Sequence, residues 1–174
     1  MKKWLSFLGA ITLLGTSTTS LVACNNIPQY NEDELQQLKK ENQIYTNCQE
    51  IKENLEWICP QEKPFNQVDN KWYYVIWRED NSVNWKIDKF KNNRLEYIKI
   101  NKINDYEIGV SNNREENRVL FIFKENKEIV RWNWWNYNNK TFFKSVYRWN
   151  LYFPPSSIPN LIIDDNGNVK VNSE

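Results

Sequence analysis

Trp72-Tyr73-Tyr74-Val75-Ile76-Trp77-Arg78 is the stretch that decides the fold: six consecutive aromatic or β-branched residues and then a charge. Such side chains fit a pleated sheet better than a helix, and here they leave neither face of the strand polar. A strand apolar on both faces has to be covered on both. Val119-Leu120-Phe121-Ile122-Phe123 reads the same way, so two central strands are expected. Outward from these, short apolar segments fall at 83–90, 94–100, 106–110, 118–124, 128–135, 141–153, 161–163 and 169–171, each followed by Asn, Asp, Glu or Lys. Their spacing is too short for helical crossovers. It predicts a mainly β fold, a single antiparallel meander domain over 71–174 in the form of a sandwich, a curved sheet or a small barrel. Asp165-Asn166-Gly167-Asn168 predicts a tight hairpin with a type I′ turn. Within 141–153, Phe143, Ser145, Tyr147, Trp149, Leu151 and Phe153 share one face against Lys144, Arg148 and Asn150, which predicts one wet side.

The chain opens with Lys2 and Lys3, an apolar run over 4–14 and a small polar stretch over 15–20. That order is a secretory signal, and the apolar run is shorter than the roughly 17–25 residues a spanning helix needs. It closes on Leu21-Val22-Ala23-Cys24, which resembles the bacterial lipobox, so residues 1–23 are expected to be cleaved and Cys24 to carry a thioether-linked lipid. One acyl chain anchors only marginally, so stable attachment needs a second or third chain on that cysteine. Removing residues 1–23 takes away two lysines and no acid, leaving the exported part within one charge of neutrality. The lipid would then do the anchoring. Together Met1-Lys2-Lys3-Trp4-Leu5-Ser6 and the run from Leu14 to Asn26 resemble the start of spiroplasma and other mollicute surface lipoproteins. The body, through its stretches at 71–78 and 143–150, resembles uncharacterised spiroplasma proteins related to their plectroviruses. Alanine is absent after position 23 while Asn and Lys abound, as an AT-rich genome dictates. The resemblance implies a lipid-anchored protein on the outer surface of the plasma membrane.

After Cys24, Asn31-Glu32-Asp33-Glu34 supplies a capping residue and three acids at the start of a helix whose apolar stripe, Leu35 and Leu38, is narrow. Residues 24–43 are therefore expected to be a tether with a short helix. Residues 44–70 form a connector containing Cys48 and Cys59, the only thiols left after lipidation. A disulfide between them, two reduced buried cysteines, or an intermolecular bridge are the three alternatives.

Composition removes many activities. The chain has no His, which excludes Ser-His-Asp and Cys-His catalysis and His-ligated zinc. Glycine stands only at 9, 15, 109 and 167, so neither a GxGxxG turn nor a phosphate loop can be written. A formal net charge of +1 argues against a nucleic-acid partner. Paired carboxylates occur at Asp164-Asp165 and Glu115-Glu116, both in polar surroundings that do not raise an acid's pKa. Asp164-x-Asn166-x-Asn168 imitates a calcium loop but has Val169 where Gly is wanted. The Asn139-Lys140-Thr141 sequon carries no weight in a bacterial chain. No metal and no cofactor are expected.

The surplus of aromatic residues is the remaining signal. In Arg131-Trp132-Asn133-Trp134-Trp135-Asn136-Tyr137, Trp132 and Trp134 share one face while Trp135 and Tyr137 share the other. Either these rings fill a β core or some of them form an exposed surface that stacks on sugar rings, on bases or on a protein partner. The expected function is a non-enzymatic, lipid-anchored recognition or coat module for a host or cell-surface protein or glycan. The alternatives are a lipid or small-ligand carrier with an enclosed β cavity, and a carboxylate-based hydrolase.

Overall fold

The computed structural model describes residues 29–113, 117–124, 130–134, 141–152 and 160–172. Residues 1–24, where a signal and lipobox are expected, lie outside the described residues. Among the described residues two α-helices come first, α1 (Glu32–Glu41) and α2 (Gln49–Asn54), and ten strands follow: β1 (Leu55–Trp57), β2 (Trp72–Trp77), β3 (Lys86–Lys91), β4 (Ile98–Ile103), β5 (Tyr106–Asn113), β6 (Asn117–Lys124), β7 (Val130–Asn133), β8 (Phe143–Trp149), β9 (Leu161–Ile163) and β10 (Val169–Val171). The protein is mainly β, and every strand pairing is antiparallel.

Two four-stranded sheets, ordered β1-β8-β2-β3 and β4-β5-β6-β7, face each other, and β9 and β10 make a separate hairpin. Of the three expected forms this is the sandwich. Tyr73, Val75 and Trp77 of β2, with Phe90 of β3, meet Ile108, Val110, Leu120 and Ile122 of the other sheet in one buried core. The opposite face of β2, Tyr74 and Ile76, lies in a second core with Ile44, Ile51, Leu55, Leu161 and Val171. The strand apolar on both faces is thus central and covered twice, as its sequence requires. Trp77 is fully buried, and its indole N–H donates to Asp88 Oδ2 at 2.7 Å, satisfying the one polar atom the ring carries.

Several expectations need correction. The second sheet is a meander, but the first is not, because β8 is wedged between β1 and β2. The connector at 44–70 belongs to the fold: Ile51, Leu55, Ile58, Cys59 and Phe65 are buried, and β1 and α2 lie within it. Their apolar positions are too sparse for periodicity to show, and only long-range pairing with β8 makes 55–57 a strand. In β8, Ile76 faces Ser145 while Trp77 faces Phe143, so a bulge at Lys144 shifts the register. The bulge turns Phe143 into the core between the sheets, whereas Tyr147 and Trp149 enter the second core. Val146 on the supposedly wet side is fully buried, because the second sheet covers that side.

The hairpin turn also differs. Gly167 has φ +76 while Asn166 has no positive φ, so the turn is not type I′. Gly167 N donates to Asp164 O at 2.8 Å, and Asp164 N donates to Asn168 O at 3.0 Å. This is a three-residue loop, a tight turn closed by one left-handed glycine.

Candidate functional site

Helix α1 has the capping box its sequence predicts: Glu34 N donates to Asn31 Oδ1 at 2.9 Å and Asn31 N to Glu34 Oε2 at 3.0 Å. It buries no residue, yet it does not stand away from the domain. Lys39 pairs with Glu56 and, at 2.8 Å, with Glu62. Tyr30 exchanges hydrogen bonds with the Gln61 side chain, its N–H donating at 2.7 Å and its carbonyl accepting at 3.1 Å. Arg148 donates to the other oxygen of Glu56 at 2.7 Å. Partial burial pushes the Glu56 carboxyl up, but bonds from Lys39 and Arg148 outweigh it and hold the group at about 2.

Beyond α1 the chain turns in at Ile44, which is buried, and out again at Tyr45, which is 92 % exposed. Residues 41–47 form one wall of an open groove of about 650 Å³, whose floor includes Ser145 and Tyr147 of β8 and whose other wall is the β9–β10 hairpin. This volume is within the range of small-ligand clefts. The Tyr147 hydroxyl donates to Asn42 O at 3.2 Å and fixes the first wall to the floor. The second wall is fixed through Lys144, whose ammonium donates to Asn166 O. Trp85 lies behind that wall, with the Arg78 guanidinium 4.3 Å from its ring centroid and Gly167 against its edge.

The carboxylates suggested by sequence do not converge here. Asp164 Oδ1 accepts from the backbone N–H groups of Asn166 and Asn168, at 3.0 and 2.9 Å, and Lys170 stands 3.6 Å from Oδ2. The bond from the Asn168 backbone, foremost among these contacts, lowers its pKa. It caps the hairpin turn, the reverse of what a proton donor needs. Glu115 and Glu116 lie outside the described residues. Among the described residues no group of three or more Cys, Asp or Glu is placed to hold a metal ion.

The aromatic run behaves differently from an exposed platform. Trp134 is 8 % exposed and packs 5.9 Å from Phe65, ring to ring, in the core between the sheets. Trp134 is therefore a core residue and not part of an exposed binding surface. The backbone of Trp132, in β7, pairs with Ile122 of β6, and Trp135 and Tyr137 lie outside the described residues. No disulfide joins Cys48 and Cys59. Cys48 stands at the N-cap position of α2 without a side-chain capping bond, Cys59 is buried, and that burial pushes the Cys59 thiol up.

Sequence reasoning missed the groove and also Arg118, which is 3 % exposed. Its guanidinium donates to Phe65 O at 3.3 Å and to Asn92 Oδ1, closing one end of the sandwich. No signal in the local sequence marks either feature, since both depend on segments far apart in the chain. No family model, no curated protein and no solved structure matches the chain. Among the described residues no helix is long and apolar enough to cross a membrane.

Proposed function

We propose that this protein is a non-enzymatic recognition module, held on the outer membrane surface by a lipid on Cys24, with the groove between residues 41–47 and the β9–β10 hairpin as its binding site. The observation that carries the reading is the groove itself, with Tyr45 almost wholly exposed beside it. A tyrosine ring in that position contributes little to the core, and exposed aromatics are the side chains on which partners gain most. The lipobox and the resemblance to mollicute surface lipoproteins support the location. What motivated a carrier, strands apolar on both faces, is accounted for by packing of β2 into two cores.

The test is to titrate the chain against host surface proteins and glycans while following Trp fluorescence. Trp85 lies against Gly167, and the Lys144 ammonium is 5.8 Å from its ring centroid; both residues line the groove, so occupancy shifts its emission. A saturable shift lost in Tyr45→Ala, with the thermal midpoint unchanged, supports the reading. No saturable response from any class counts against it. Intact mass and detergent partitioning, with a Cys24→Ala control, test the anchor separately.

A further inference from the structure

One wall of the groove is an open sheet edge. The bonds Asp164 N to Asn168 O and Asn172 N to Asn160 O set the phase of the β9–β10 ladder, so residues 168, 170 and 172 turn their backbone groups toward β9. Val169 and Val171 then turn their N–H and C=O away from β9. Among the described residues the only strand paired with β10 is β9, and none of them meets those outward groups. Val169, Lys170 and Val171 all line the groove, whereas no residue of β9 does, so this edge opens into it. An unpaired edge is a template for an added strand.

The surroundings state which strand fits. Side chains directly opposite each other in an antiparallel pair share a face. Residues paired with Val169 and Val171 would therefore point with those valines toward Ile44 and Tyr147, which belong to the second core. The residue paired with Lys170 would point with Lys170 to solvent, where that side chain is 62 % exposed and its acid partner, Asp164, is already bonded to the turn. The other groove lysine, Lys144, is held by Asn166 O. Glu41 carries an acid on the opposite wall, and Lys170, shared only at 3.6 Å with Asp164, is the cation at the centre of the edge itself.

We propose that the groove takes an extended segment of a partner protein, reading apolar-acidic-apolar, as an antiparallel strand on β10. This rests on the groove being the recognition site and names the class of partner. The backbone bonds form at the two apolar positions, and the acidic residue faces Lys170.

The probe is a blocked peptide with the core Ile-Glu-Ile flanked by serines, titrated against the full chain in detergent, with protein-free micelles as the blank. We expect saturable binding and slowed hydrogen exchange at the Val169 and Val171 amides. N-methylation of either Ile removes a ladder donor and should weaken binding about tenfold or more, whereas N-methylation of the Glu, whose amide faces away, should leave it unchanged. Val169→Pro deletes an amide that does not serve β9 and should weaken binding similarly. Glu to Lys in the peptide should weaken it, and Lys170→Glu should restore that peptide. Equal binding by all N-methylated peptides, or none by any, overturns the proposal, and the peptide series does so in the unaltered chain even if the proline variant fails to fold. Self-association abolished by Val169→Pro would also overturn it, making the occupant a second copy. If a glycan shifts Trp85 while the peptides do not bind, recognition by the groove stands and the strand-addition inference alone falls.

Discussion

Glu56 shows how much one residue organises here. It joins α1, β1 and β8 through Lys39 and Arg148, and its neighbour Asn150 adds a bond at 3.2 Å. Glu56→Gln should cost about 1–2 kcal/mol, since the bonds are charge-assisted but only half-buried. The sign with pH follows from a folded pKa of about 2 against an ordinary 4.5. The stabilisation is complete above the higher value and lost as pH falls through the lower one, so an acid titration of the thermal midpoint should be shallower in Glu56→Gln over that window. Gly167 is the second such position. At φ +76 an added Cβ meets strain, and it would lie 2.7 Å from the Trp85 ring. Gly167→Ala should lose about 1–3 kcal/mol in chemical denaturation; a loss near zero would mean the turn relaxes without its glycine. The sequence pointed to a turn at Gly167 but not to its type, because the phase of the ladder is set by where β9 and β10 end.

At the scale of elements, the strands with dense aromatic and β-branched content were legible, and those without it were not. β2, β6, β9 and β10 lie at or close to the expected positions, whereas β3 and β4 start later than expected, at Lys86 and Ile98. β1, three residues following a short helix, has no pattern of its own and exists by pairing with β8. The aromatic run at 131–137 illustrates the ambiguity most plainly. Alternation put Trp134 on one face, but only the opposing sheet and Phe65 bury it. Trp134→Ala should therefore cost about 3–5 kcal/mol and lower the thermal midpoint, rather than abolish binding with folding intact. A variant with unchanged stability would return Trp134 to the candidate surface.

At the scale of the whole molecule, α1 is strapped to the sandwich by polar contacts of Lys39 while its leucines, Leu35 and Leu38, are only half-buried. Such pairs are weak and salt-screened. Lys39→Ala, or high salt on the unaltered chain, should speed hydrogen exchange in α1 while leaving the amides of β2 and β6 as slow as before. Equal acceleration throughout would show that α1 is integral to the cooperative unit. The sequence by itself determined the β character, the doubly covered β2 and the capped helix, because alternation, capping chemistry and side-chain shape act over a few neighbouring residues. Only the tertiary structure decided that β8 inserts beside β2, that a bulge at Lys144 reverses the face of Phe143, and that residues 41–47 and 164–171 enclose a groove. Those outcomes follow from burying apolar surface contributed by distant segments, and no local pattern records which distant segment will supply the other side.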